Sequence, residues 1–196
     1  MNRIEPAQKA AAARTLATAF HDDPVLASMA PEPNRRARVG QWFLGTAVEY
    51  GLRWGEVWAD PDVSAVAVWL PPENTSMTMG RMLRAGLARM PVVAGPRATV
   101  RFLQGSWAWD EVHTSVSGPH WYLVAIGTLP DRQGHGLGSA LVKVGTDQAD
   151  AAGLPCYLET ATDDDIAFYE RRGFRVAKQV QVHGFALTGM VREPPG

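Results

Sequence analysis

The segment Pro130-Asp131-Arg132-Gln133-Gly134-His135-Gly136-Leu137-Gly138-Ser139-Ala140-Leu141 constrains this chain more than any other. An apolar run with β-branched members, His120 to Thr128, precedes it. A helical pattern with Leu137, Ala140, Leu141 and Val144 on one face follows. A strand, a glycine loop and a helix in that order leave free amides at a helix N-terminus, where the dipole favours an anion. Glycines let the backbone approach a ligand closely and take positive φ. The segment is therefore suited to a phosphate or pyrophosphate. A Walker loop requires Gly-Lys-Ser/Thr, and Gly138-Ser139 has no lysine. A dinucleotide loop requires a third glycine where Ser139 stands; it also wants an acidic residue about 20 positions on, and Glu159 sits there. The chain after Ser139 is too short for a doubly wound sheet, and too much chain precedes the loop. A plain glycine-rich turn is the remaining alternative.

Periodicity orders the rest. Pro6 to Phe20 is Ala-rich, has Leu16, Ala19 and Phe20 on one side, and predicts a helix that ends at His21-Asp22-Asp23-Pro24. A second helix is predicted from about Asn34 to Arg53, with Val39, Trp42, Phe43, Thr46, Ala47 and Tyr50 recurring at three and four. Residues 56–59 and 64–69 flank Asp60-Pro61-Asp62 and predict a hairpin, stopped by Pro71-Pro72. Residues 78–113 are helical in character, punctuated by Pro91, Gly95 and Pro96. Gly153 closes the helix after the glycine loop, and residues 156–160 read as a strand. Residues 164–172 read as a short helix capped by Gly173, and 174–182 and 185–191 as two last strands. No repeat or linker divides the chain, so residues 1–196 are read as one domain, with 1–5 and 193–196 flexible.

The formal net charge of -1 argues against a nucleic-acid partner, which needs a basic face. The single cysteine, Cys156, excludes an internal disulfide and suits a reducing cytoplasm. It sits in the apolar run Leu154-Pro155-Cys156-Tyr157-Leu158 with no base nearby, so it reads as a buried small hydrophobe rather than a nucleophile. No stretch reaches the roughly 18–20 apolar residues of a membrane span. The start has no apolar signal core, and the histidines show no metal-ligand spacing. A cytoplasmic location with no membrane, nucleic-acid or metal partner is expected.

Gln133-x-x-Gly136-x-Gly138 after an apolar strand resembles the coenzyme A loop of the GNAT acetyltransferases. A second motif strengthens the resemblance: Leu158-Glu159-Thr160, then Asp165-Ile166-Ala167-Phe168-Tyr169-Glu170-Arg171-Arg172-Gly173-Phe174. Ala65-Val66-Ala67-Val68-Trp69 with Pro72-Glu73, Trp121-Tyr122-Leu123, and Arg14 to Phe20 are similar to the puromycin N-acetyltransferase-like members. The resemblance spans roughly residues 10 to 190. It implies a mixed α/β fold: a twisted, mostly antiparallel sheet flanked by helices, whose two central parallel strands, 120–128 and 156–160, splay to admit acetyl-CoA.

The same resemblance implies residue roles. The pyrophosphate falls on the loop amides of Gln133, Gly134, His135, Gly136, Leu137, Gly138 and Ser139. The pantetheine arm falls along the splayed edge at Ile126, Gly127 and Thr128, pairing like an added strand, with a main-chain oxyanion donor near Ile126. Tyr169 is the implied general acid for the departing thiolate and also contacts the cofactor; on the residue alone it is equally a core aromatic. Asp165 stands where the family usually has a cofactor-contacting asparagine, a departure that removes an amide donor; Asp163-Asp164-Asp165 also suits a helix N-cap. Arg171 and Arg172 either reach a phosphate or are solvated. Glu159 is the first choice of general base, followed by His120, Glu111 and His113 or a water chain. Trp42, Trp107, Trp109 and Met82 are candidates for an apolar acceptor pocket. The expected reaction is direct transfer of acetyl to a primary amine of a small, antibiotic-like molecule, by a monomer or homodimer. A protein or peptide acceptor, and a non-catalytic acyl-CoA sensor, are the alternatives.

Overall fold

Ala65–Leu70 is apolar at every position, and such a strand is stable only when both faces are covered. The computed structural model, which describes residues 1–195, covers it on both. The elements are β1 (Asn2–Arg3), α1 (Lys9–Ala19), α2 (Pro24–Met29), α3 (Pro33–Trp54), β2 (Glu56–Ala59), β3 (Ala65–Leu70), α4 (Met79–Ala85), α5 (Met90–Val93), α6 (Gly95–His113), β4 (Trp121–Thr128), α7 (Leu137–Ala152), β5 (Cys156–Thr160), α8 (Asp163–Glu170), β6 (Arg175–Val182) and β7 (Phe185–Arg192). The strands form one sheet in the order β1-β2-β3-β4-β5-β7-β6. Among the described residues only β4 and β5 run parallel. This is the mixed, mostly antiparallel sheet that the sequence predicts.

On one face Val66 and Val68 join a core with Leu16 of α1 and Val39 and Val48 of α3. On the other, Ala65, Ala67 and Trp69 pack with Leu141, Val142 and Ala149 of α7. Trp69 is wholly buried, and its indole donates to the Leu141 carbonyl at 3.3 Å. Gly145 lets α7 lie this close: a Cβ there would sit 2.2 Å from the Trp69 ring.

The site is made by a misfit between β4 and β5. They pair only from Trp121↔Cys156 to Leu123↔Leu158. Beyond that point β4 stays on β3 and β5 stays on β7, ending at Ala65↔Thr128 and Thr160↔Thr188. The register against β3 slips between Val68 and Trp69, leaving Val124 as an extra residue on β4. A bulge of this kind bends the strand and reverses its alternation. Leu123 and Ile126 accordingly both pack toward the α7 side, while Val124 and Ala125 pack toward the other. The bend opens a wedge between the central strands.

Several sequence expectations are corrected. Residues 1–5, read as flexible, carry edge strand β1, which pairs with β2, and a buried Ile4 whose N–H bonds to Val57 O at 2.9 Å. Helix α2 was not foreseen; Pro24 at its first position and Asp23 as its N-cap start it. The segment 78–113 divides at Gly86 (φ 127) and Gly95 (φ 82) into three helices. Glu193, read as part of a flexible tail, pairs with Arg175 at 3.2 Å, and Gly196 lies outside the described residues. Among the described residues no helix is long and apolar enough to cross a membrane.

Candidate active site

A cleft of about 1650 Å³ runs through the β4–β5 wedge. Its first wall is the glycine loop. Gly134 (φ 77) and Gly136 (φ 78) take left-handed backbone, and no atom lies within 4 Å of where their Cβ atoms would stand. Gly136 is the N-cap of α7, so the first amides of that helix open on the cleft. Arg172, at the end of α8, reaches the same place. Its guanidinium lies 3.4 Å over the Phe168 ring and donates to Ser139 Oγ and the Phe168 carbonyl. Its Nε is buried without a partner. Positive φ, open space, a helix N-terminus and a guanidinium with donor capacity in reserve fit a pyrophosphate.

The structure lines the cleft with Ile126, Gly127, Thr128, Gln133, Gly134, Gly136, Leu137, Gly138 and Ser139 together, and with Asp165, Tyr169 and Glu159. His135 is the exception. Its imidazole folds back to the Gln133 carbonyl at 2.8 Å, outside the cleft wall. Gly127 also has a packing reason to lack a side chain, since a Cβ would meet Ala19 Cβ of α1 at 2.7 Å. Gln133 donates to Thr128 O at 3.3 Å, closing the loop onto the end of β4.

Asp165 is held by its own helix. Thr162, the N-cap of α8, accepts from Asp165 N–H at 3.2 Å, and the Asp165 carboxylate accepts from the Thr162 hydroxyl at 2.6 Å and from Thr160 at 3.2 Å. Tyr169 is buried between Phe168 and Phe174 and still borders the cleft. Burial, and then the nearby Asp165 charge, raise its pKa, so the phenol keeps its proton. Gly173 (φ 85) and the bond from Phe174 N to Tyr169 O, 3.2 Å, end α8 in a Schellman closure that fixes this ring.

Glu159 lies across the wedge. Its Oε2 accepts from Tyr122 OH at 2.6 Å, and its Oε1 is 3.5 Å from His113 Nδ1. Burial and the Glu159 charge raise the Tyr122 pKa, so Tyr122 remains a donor and Glu159 an acceptor. His120 and His113 border the same part of the cleft. Glu111 does not: it pairs with Lys178 at 2.5 Å. Burial pushes the Cys156 thiol up to about 12, which removes it as a nucleophile.

The acceptor side differs from expectation. Met82 and Trp109 line it, but Trp42 turns to the Gly86 carbonyl at 3.3 Å and Trp107 faces outward. Phe43, Tyr50 and Phe102 take their places. The α3 stripe of Phe43, Thr46, Ala47 and Tyr50, which looks like a core face in sequence, is cleft wall. Val39, Leu44 and Val48 of α3 join the core on one face of the sheet, and Tyr50, although it borders the cleft, is also buried in a cluster with Leu70 and Tyr157.

Residues 96–174 match the acetyltransferase (GNAT) family. An uncharacterized N-acetyltransferase of Schizosaccharomyces pombe is 27% identical over 204 residues, 98% of this chain and 82% of its own. A solved structure from Corynebacterium glutamicum, described as histone acetyltransferase HPA2 and related acetyltransferase, superposes with a TM-score of 0.70 at 20% identity, over 100% of this chain and 96% of that one. The match to the GNAT superfamily takes in β4, the glycine loop, α7, β5 and α8, which build the cofactor side of the cleft. A likeness in fold extends to Chaetomium thermophilum Naa20, solved with a bisubstrate analogue, with a TM-score of 0.55 at 15% identity over 98% of this chain and 85% of that one. Acetyl-CoA is the cofactor of this superfamily, and the loop, the open β4 edge and Arg172 fit it.

Proposed function

We propose that this chain transfers acetyl directly to a primary amine of a small molecule, with Glu159 as general base and Tyr169 as general acid. Bound acetyl-CoA supplies the activated thioester. The observation that carries the reading is the pair of Glu159 and Tyr169 on one cleft, the first a carboxylate that accepts a hydrogen bond and the second a buried phenol. Glu159 is held as an acceptor by Tyr122, and Tyr169 is held protonated by burial. Separating an acid and a base by environment is how one site runs both proton transfers. Tyr169 would hold its proton for the departing sulfur, and Glu159 would receive one from the amine. The amides of the α7 N-terminus, with Ser139 and Arg172, would hold the pyrophosphate. The edge of β4 at Ile126 to Thr128 would hold the pantetheine arm and provide the main-chain oxyanion donor.

A small acceptor is favoured by the enclosure beyond Glu159, where Phe43, Tyr50, Met82, Phe102 and Trp109 line the cleft. These suit an apolar or planar body carrying an amine, in keeping with the sequence likeness to puromycin N-acetyltransferase-like members. The test is coenzyme A thiol release with acetyl-CoA and an amine panel that includes puromycin and short peptides with free N-termini. Glu159→Gln and Tyr169→Phe are each expected to lower kcat about 10²-fold or more, the usual worth of a general acid or base. Release with peptides alone would move the acceptor to a protein N-terminus, as the Naa20-like fold also permits. Full activity in both variants would remove the two assigned roles.

A further inference from the structure

A chain of hydrogen bonds runs away from Glu159, and its direction is fixed at the far end. The Gly118 carbonyl can only accept, so His120 Nδ1, 2.9 Å away, carries a hydrogen. Burial keeps His120 neutral by lowering its pKa, which leaves its Nε2 a lone pair. His113 Nε2 lies 3.0 Å from that lone pair and must therefore donate. The other His113 nitrogen, Nδ1, faces Glu159 Oε1 at 3.5 Å. On the opposite carboxylate oxygen Tyr122 already donates. Oε1 is buried and has no hydrogen bond.

A nitrogen lone pair and a carboxylate oxygen facing each other repel, and one proton between them turns repulsion into attraction. We infer that His113 and His120 form a proton relay for Glu159: His120, oriented by Gly118, fixes His113 in the tautomer whose Nδ1 receives the proton that Glu159 takes from the acceptor amine. This rests on Glu159 acting as the base. The N–H bond of the amine breaks and an O–H bond forms on the Glu159 carboxyl, which borders the cleft and turns its buried Oε1 to His113. That proton passes to His113 Nδ1, and the imidazolium releases it to water. Exposure has the right gradient for this exit, since the Glu159 side chain is 6% exposed and that of His113 27%. Both histidines are positioning residues, because neither need touch the amine or the acetyl group.

The other ionisable groups around His113 leave the relay intact. Tyr157 packs on its ring at 4.4 Å and Tyr122 meets it edge-on at 5.1 Å. Burial holds both phenols protonated. On α6 itself, Glu111 is engaged with Lys178 of β6, and Asp110 borders the cleft.

The experiment combines imidazole ¹⁵N NMR of the full chain with pH–rate profiles of His113→Phe, His120→Leu and Glu159→Gln. In the wild type His120 should be the Nδ1–H tautomer and His113 should carry hydrogen at Nε2. His113→Phe should lower kcat about tenfold or more, leave KM for acetyl-CoA unchanged, and be partly rescued by added imidazole. His120→Leu removes the acceptor that favours a charged His113, so the acidic limb of kcat/KM should move down by about one unit, the size of one charge-assisted hydrogen bond. An Nε2–H His120 would overturn the relay even if a variant failed to fold. So would wild-type kcat and pH profile in His113→Phe alongside an impaired Glu159→Gln, which leaves Glu159 as base without a relay. Wild-type activity in Glu159→Gln would remove the base and the relay together.

Discussion

At Asp23 two demands meet on one carboxylate. It caps α2 by accepting from Val25 N at 2.8 Å and Leu26 N at 3.4 Å, which favours charge. Burial beside the cleft opposes charge, with a smaller contribution from Asp165, and the net effect raises its pKa to about 6. A carboxyl whose folded pKa is raised binds more protons folded than unfolded, so stability falls as pH rises between the unfolded value and about 6, and stays lowered above it. Asparagine caps a helix equally well and carries no charge. Asp23→Asn is therefore expected to stabilise the protein at pH 8 by about 1–3 kcal/mol, discounted for partial exposure, and to be neutral near pH 4. Urea melts at the two pH values measure this, and a gain that did not depend on pH would contradict it. Asp23 also shows what a sequence hides: Asp22-Asp23-Pro24 reads as the end of one helix, while it also caps the next, and its burial comes from residues far along the chain. Glu159 and Tyr169 stand out in the sequence because each sits in a local motif, and both border the cleft. Gly118, His113 and His120 were not readable as a chain, because a loop after α6 brings them together and no periodicity marks it. The His135 imidazole folds back on Gln133 O, between two glycines, which leaves its main-chain amide, the group assigned to the pyrophosphate, out of that contact.

Elements with one clear period were legible and those set by tertiary contact were not. β2 and β5 fall where predicted, because each is a short apolar run bounded by Gly, Asp or Pro. For α3 the period was right, but a period does not say what a face meets: a wall facing a cleft and a wall facing a core use the same apolar residues. The bulge at Val124 leaves no sequence signature, because it inserts one apolar residue into an apolar run. Helix α7 gives an element-scale prediction. Its contact with β3 relies on Gly145 over Trp69, with 2.2 Å available where a Cβ would stand. Gly145→Ala improves helix propensity by about 1 kcal/mol, yet it must push α7 off the sheet, and overpacking costs typically about 1–3 kcal/mol or more. Packing should win because the obstructing atoms belong to a wholly buried indole that has nowhere to move. The variant should have a lower urea midpoint, and Trp69→Leu in the same chain should recover part of the loss, a coupling that a double-mutant cycle reads directly. Additive losses would mean that the helix shifts freely.

On the scale of the whole molecule, the wedge between β4 and β5 interrupts a sheet that is otherwise hydrogen-bonded from β1 to β6. The glycine loop and α8 lie on one bank of the cleft, and α3, α4 and α6 contribute to the other. A ligand that lies along the open edge of β4 while its pyrophosphate sits at the α7 N-terminus replaces contacts the sheet lacks there. Binding to the folded state alone stabilises by about 2.7 kcal/mol at a hundred times Kd, which for a chain of this size is a rise in Tm of roughly 5–10 °C. Acetyl-CoA should produce a shift of that order in a thermal melt, without any acceptor present. In the proposed complex Arg172 is the charge on the phosphate side, and desolvation lowers its pKa without removing its proton. Arg172→Gln should therefore shrink the shift given by acetyl-CoA and weaken its dependence on salt, since the ionic part of the contact is screened. Pantetheine, which has no pyrophosphate, should stabilise the wild type and the variant alike. If Arg172→Gln lost equally with both ligands, the arginine would be acting through its bonds to Ser139 and Phe168, holding the loop in shape rather than meeting the phosphate.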